Sequence, residues 1–224
     1  MNNRNDLVQE TVWARELTTG EIEQAQRGVS ERHFAKGCYL CHRGDRLDYW
    51  TGIVTGLIKM SSIARSGKPI TFAGIGAGGW FGEGSVLKDE ARKYDLVALR
   101  DTHLLMMNRS TFFWLYENSV GFNRFLVRQL NERLAQFIAS TEYEHLLDPK
   151  ARVARNLAWL CNPVLNPHVN SMIEITQEEL ALLARLSRPA VNRCLQELEQ
   201  ERLIRSEHGR IIVADVERLG EYGD

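Results

Sequence analysis

No apolar run in this 224-residue chain approaches the roughly 20 residues that a membrane span needs. The amino terminus, MNNRNDLVQE, is polar and does not read as a secretory signal. Together these absences predict a cytoplasmic protein without a membrane partner, whose four cysteines are reduced. Charge of one sign is lacking too: 28 Lys and Arg against 29 Asp and Glu give −1. Nothing therefore draws the whole chain to nucleic acid, and any such affinity must be local. There is no proline-rich or low-complexity linker and no repeat. Also missing are G-x-S-x-G, H-E-x-x-H and a P-loop, and no nucleophile stands beside a base. The chain does not read as an enzyme, and no metal site is expected. Its length suits one large or two small domains, and its 44% hydrophobic content is ordinary for a globular protein.

The most informative stretch runs from Thr176 to Leu203, TQEELALLARLSRPAVNRCLQELEQERL. Thr176 with Glu179 three residues on forms a capping box, and Leu180, Leu183 and Ala184 give the helix after it a narrow apolar stripe. Ser187 caps a second helix with Pro189 in its first turn, where a missing N–H costs nothing. Val191, Leu195 and Leu198 face inward at helical spacing, while Arg188, Asn192 and Arg193 face outward. No acid occurs on this helix before Glu197. A short capped helix, a tight turn and a cationic, amide-bearing second helix describe a helix-turn-helix that reads a major groove. An ordinary helical hairpin with two solvated arginines is the bland alternative. Downstream, Leu203–Ile204 and Ile211–Val213 flank a polar turn at Glu207, His208 and Gly209, as in the hairpin wing of a winged helix. Arg205 and Arg210 on that wing are candidates for phosphate contact, which positions a protein without specifying sequence.

Taken in order, residues 1–8 read as disordered and 9–35 as short helices capped at Thr18 or Thr19, with Trp13 and Leu17 packing onto the segments after them. From Cys38 to about Met107, short apolar segments alternate with glycine-bearing turns, the texture of a β-sandwich or barrel. From about Ser119 to His145 the pattern is helical. Val127, Leu130, Leu134, Phe137 and Thr141 repeat at spacings of three and four, the seam of a coiled coil. Such a helix is about 38 Å long, too long for one β-domain to cover, so the seam is expected to pair with a second copy of itself. Asp148-Pro149 breaks the helix and marks a boundary before ARVARNLAWL.

This layout resembles the Crp/Fnr superfamily of bacterial transcription regulators over about residues 15–218. The marks are KGCYLCHRGD with GIVTGLIKM, GGWFGEGSVL, ALRDTHLL, DPKARVARNLAWL and ITQEELALLARLSRPAVNRCLQELEQERLI. The resemblance implies an α+β fold: N-terminal helices and a β-roll (a double-stranded β-helix, jelly-roll-like) over 1–117, a dimerisation helix over 118–147, and a winged helix-turn-helix over 148–224. It also implies a homodimer on a double-stranded DNA operator, an effector in the β-roll that sets the DNA-binding state, and RNA polymerase as a partner. Ser187 and Arg188 match the pair opening the recognition helix. Arg193 matches an arginine that reads guanine, where a bidentate pair contributes about 1–3 kcal/mol of discrimination. Thr176, Gln177 and Asn192 complete the DNA-contact set. Pro189 departs from the pattern, so the operator sequence is not carried over.

Gly82-Glu83 matches the glycine–glutamate core of the family's cyclic-nucleotide cassette. Backbone N–H groups there cradle a phosphate and the carboxylate accepts from a ribose hydroxyl. The arginine that must neutralise the phosphate is Arg92 when counted from ALRDTHLL, and the position falls on Lys93 when counted from Glu83. Lys93-Tyr94-Asp95 stands where small residues belong, and Gly84 replaces the usual leucine. These departures weigh against a cyclic nucleotide and leave a different small ligand, or none, open. Cys38-Tyr39-Leu40-Cys41-His42 spells the c-type haem attachment motif, but it lies on an expected core strand, which puts the two thiols on opposite faces. Iron–sulfur oxygen sensing is not expected, because no cysteine group precedes Cys38. His33 and His42 read as surface histidines. The rival function is a ligand or redox sensor that signals to a protein partner through its long helix. The acid-free face of 187–196 favours DNA.

Overall fold

The computed structural model describes residues 4–65, 67, 69–207 and 209–223. The chain opens with helix α1 (Arg4–Gln9), a 3₁₀ turn (Trp13–Glu16) and α2 (Thr19–Arg27). Helix α1 corrects the expectation of disorder through residue 8: Val8 is fully buried and anchors it. Thr18 and Glu21 close a capping box at α2. Strand β1 (Val29–Phe34) falls where short helices were expected. Its burial pattern explains the miss, since only Val29 is buried and no apolar alternation shows.

The remaining strands of this half are β2 (Tyr39–Cys41), β3 (Tyr49–Thr55), β4 (Leu57–Ile63), β5 (Pro69–Gly76), β6 (Trp80–Phe81), β7 (Asp95–Ala98) and β8 (Thr102–Asn108), with α3 (Glu83–Lys88) inserted before β7. They form two antiparallel four-stranded sheets, ordered β1-β8-β3-β6 and β2-β7-β4-β5. One apolar run, GIVTGLIKMSSI, becomes two strands because Gly56 adopts φ +106° between them, a conformation that strongly favours glycine. Between the sheets lie Ile53, Ile58, Ile75, Phe81, Leu96 and Leu104.

A second cluster joins the amino-terminal helices to the sheets. Trp13, Trp50 and Trp80 pack with centroids 4.1–5.6 Å apart, and Phe112 and Phe122 meet Trp50 edge-on. Phe112 comes from α4 (Arg109–Asn118) and Phe122 from α5 (Val120–Leu146). The 27 residues of α5 span about 40 Å. Asp148 caps α6 (Pro149–Leu160) where the long helix breaks.

The carboxy-terminal unit holds β9 (Met172–Ile173), α7 (Gln177–Ala184), α8 (Arg188–Gln200), β10 (Ile204–Glu207), β11 (Arg210–Val213) and α9 (Val216–Gly220), with sheet order β10-β11-β9. It is a winged helix: helices α7 and α8 cross over a core of Leu180, Val191, Leu195 and Leu198, and the β10–β11 hairpin closes behind. His208, expected in the hairpin turn, lies outside the described residues. Thr176→Ala is expected to cost about 1 kcal/mol in urea unfolding, because its hydroxyl caps α7 through the Glu179 N–H at 3.2 Å. No helix among the described residues is long and apolar enough to cross a membrane.

Candidate functional site

Helix α8 begins at the Ser187 cap, whose hydroxyl accepts from Ala190 N. Pro189 fits within this first turn, and the apolar side buries Val191, Leu195 and Leu198. The opposite side exposes Ser187, Arg188, Pro189 and Arg193. Thr176 and Gln177 stand at the start of α7, half-buried, and Gln177 Nε2 donates to Asn192 Oδ1 at 3.0 Å. The DNA-contact residues expected from the sequence are thus brought to one side of the winged helix. An open cleft of about 440 Å³ separates α7 from the wing and is lined by Thr176, Gln177, Arg188, Ser206 and Arg210. On the wing itself Arg205 pairs with Glu207 at 2.6 Å and Arg210 with Glu174 at 3.2 Å.

The second site lies between the sheets and α5. Gly82 takes φ +101° and turns the chain from β6 into α3. A Cβ there would collide with the Arg92 guanidinium, so glycine is what lets the arginine approach. Arg92 is 1% exposed. Its Nη2 donates to Tyr49 O at 3.3 Å, but Nε and Nη1 are buried without a hydrogen-bond partner, as is Glu83 Oε2. Lys93 instead points to solvent and pairs with Glu90 at 2.8 Å. Tyr94 packs onto the inter-sheet core, and burial pushes its phenol up against the opposing influence of Arg92.

Helix α5 turns a polar stripe toward this cluster. Gln129 and Gln136 are buried, and Gln129 Nε2 and Arg133 Nη2 have no partner. Arg133 Nη1 donates to Gln136 Oε1 at 3.1 Å. Burial lowers the Arg133 pKa, while the nearby Glu83 and Tyr94 oppose that shift. Sequence periodicity did not reveal Gln129 or Arg133. Their signal was available only as polar residues flanking the seam, with Arg133 one turn from both Leu130 and Phe137.

Seam residues Val127, Leu130, Leu134 and Phe137 are 58%, 41%, 58% and 36% exposed, and Thr141 is also exposed. Ile138 joins them. Among the described residues, therefore, the seam is uncovered by its own chain.

Cys38 is exposed just before β2, Cys41 at the end of that strand is buried, and burial pushes the Cys41 thiol up to about 11. That thiol is protonated and inert at neutral pH. His33 stacks on His103, and His42 stacks on Tyr39.

Comparison with known proteins agrees with this geometry. Residues 31–119 match the cyclic nucleotide-binding domain family, and residues 151–222 match the Crp-like helix-turn-helix domain. The chain is 27% identical over 205 residues to the Cyclic AMP receptor protein of Thermus thermophilus, covering 92% of this chain and 93% of that one. It is 26% identical over 209 residues to the cAMP-activated global transcriptional regulator of Haemophilus influenzae, covering 88% and 93%. Among solved structures, FixK2 from Bradyrhizobium japonicum shares the fold with a TM-score of 0.70 at 18% identity, covering 86% of this chain and 96% of that one. The chain therefore belongs to the Crp/Fnr superfamily, as a DNA-binding transcription regulator with a cyclic nucleotide-binding-type effector domain.

Proposed function

We propose that the regulator works as a homodimer on a double-stranded operator. Each subunit contacts DNA through Thr176, Gln177, Ser187, Arg188, Asn192 and Arg193. The domains divide as 1–117, 118–147 and 148–224, and the α5 stripe of Val127, Leu130, Leu134, Phe137 and Thr141 forms the subunit interface. The exposed, acid-free start of α8 supports the DNA contacts. RNA polymerase is the partner on the promoter. Arg193→Ala is expected to lower operator affinity roughly 10- to 100-fold and to relax base preference at one position per half-site. Fluorescence anisotropy on duplexes substituted one base at a time would show this. Uniform weakening at every position would instead make Arg193 a phosphate contact.

The effector is a monoanion carrying hydroxyl donors, of the cyclic-nucleotide class, bound at Gly82, Glu83 and Arg92. Lys93, paired with Glu90, stays at the periphery. The observation that carries this reading is the group of buried polar atoms without partners on Arg92, Glu83 and Arg133. The buried Arg92 and the partly buried Arg133 face one carboxylate, and one phosphodiester charge would balance the positive charge left over. The free oxygen of Glu83 is an acceptor for a ribose hydroxyl. The Thermus and Haemophilus relatives are themselves named for cyclic AMP. Calorimetric titration with cyclic AMP and cyclic GMP tests this. Saturable heat with either nucleotide, lost in Glu83→Gln, is the expected result. Absence of heat with both would sink the cyclic-nucleotide assignment.

A further inference from the structure

The effector half and the DNA-reading half share a packed seam. Leu57 of β4 and Leu99, just after β7, lie in the same apolar cluster as Leu160, Leu180 and Ala184. Asn166 Oδ1 accepts from Gly76 N at 2.7 Å, and His168 N donates to Ala77 O at 3.1 Å.

One charge pair spans this seam. Arg100, in the turn between β7 and β8, donates through Nη1 to Glu179 Oε1 at 2.9 Å and through Nη2 to Oε2 at 2.8 Å. Both side chains are 15% exposed. The same carboxylate accepts from Thr176 N at 2.8 Å and so completes the cap of α7. A single carboxylate thus fixes the first turn of the DNA-reading pair and ties it to the β-sheets. Burial alone would raise the Glu179 pKa, yet Arg100 and the Thr176 amide hold it below the usual carboxylate range.

We propose that Arg100 is a positioning residue for DNA recognition, gripping Glu179 so that α7 and α8 sit on the β-sheets in their DNA-accessible arrangement. The fork of two parallel hydrogen bonds resists rotation in a way that a single contact does not. The apolar seam beside it supplies adhesion but little direction, because dispersion and apolar burial are non-directional. With the pair closed, Ser187, Arg188 and Arg193 are exposed, so this arrangement leaves the reading residues free to meet DNA. Arg100 acts through Glu179 and needs no contact with DNA.

A double-mutant cycle tests this on the full-length chain, using a duplex that the wild-type protein selects from a randomised pool. Arg100→Met keeps the aliphatic stem, and Glu179→Gln keeps an acceptor for the Thr176 cap. Each is expected to lower affinity about tenfold, and the double variant to lower it no further. Removing the acid should by itself strengthen attraction to DNA, so a loss in Glu179→Gln identifies positioning and not bulk charge. Arg100→Lys, which retains charge without the fork, should lose about threefold and serves if Arg100→Met fails to fold. Additive losses in the cycle would make Arg100 an ordinary cation near DNA and overturn the proposal. So would affinity within twofold of wild type for Arg100→Met, or for Arg100→Lys where it replaces it. Tighter binding by either variant would do the same, by showing that the pair holds the reading helices back.

Discussion

A Leu134→Glu chain is expected to sediment as a monomer and to lose at least about 100-fold in affinity for an operator that the wild-type dimer holds. Leu134 is 58% exposed on α5, in the middle of a stripe that runs from Val127 to Thr141. In a symmetric pair each leucine is buried against the other subunit, and burial of a leucine stabilises by roughly 1.5–3 kcal/mol. The substitution removes that contribution twice and forces two carboxylates toward one another in an apolar seam. Two recognition helices must reach half-sites about 34 Å apart, so a monomer makes half the contacts and loses the fixed spacing. Melting temperature at matched protein concentration separates monomerisation from unfolding. A variant that remains a dimer with wild-type affinity would return the α5 stripe to the status of a solvent-facing surface.

Arg92→Met should have two effects of opposite sign. Arg92 is the largest charged side chain among those fully buried, and two of its three nitrogens lack partners. Its bond to Tyr49 O, at 3.3 Å, and its interaction with the Tyr94 phenol are a weak return for desolvating a guanidinium. Methionine fills similar space without a charge or donors to satisfy. The unliganded variant is therefore expected to be more stable than wild type by about 1–3 kcal/mol in urea, while saturable binding of cyclic AMP or cyclic GMP disappears. Stability held in reserve for a ligand is what this contrast would expose. If Arg92→Met is instead destabilised by several kcal/mol, the arginine is a structural strut and the anion site must be sought elsewhere.

Much of the architecture was legible because it rests on local chemistry. Capping boxes at Thr18 and Thr176, the Ser187–Pro189 helix start and the Asp148-Pro149 break all act within four residues of chain. Strand β1 was not legible: VSERHF has no apolar alternation, and only its pairing with β8 makes it a strand. Helix α1 was missed because one buried valine anchors it. In the effector cluster, counting residues could not decide between Arg92 and Lys93. Burial separates them, and burial depends on Gly82 making room for one guanidinium. Nothing in the local sequence singles out Arg133 or Gln129; burial of Gln129 and the approach of Arg133 to Glu83 and Tyr94 arise only when α5 meets the sheets. The Arg100–Glu179 pair joins residues 79 apart, a distance over which no sequence pattern operates.

The tryptophans are distributed so that the molecule carries its own optical reporters. Trp13, Trp50 and Trp80 form one group, with rings of the first two set edge-on to Phe122 at the start of α5. Their shared emission should respond to any shift of α5 against the sheets. Trp159, near the end of α6, donates to the Tyr143 hydroxyl of α5 at 3.3 Å and so bridges the long helix and the helix that follows it. Trp114 is partly exposed and supplies a solvent-facing reference. Comparing emission of the wild type with that of Trp159→Phe would therefore separate movement of the sheets from movement of α6 against α5, without an attached dye.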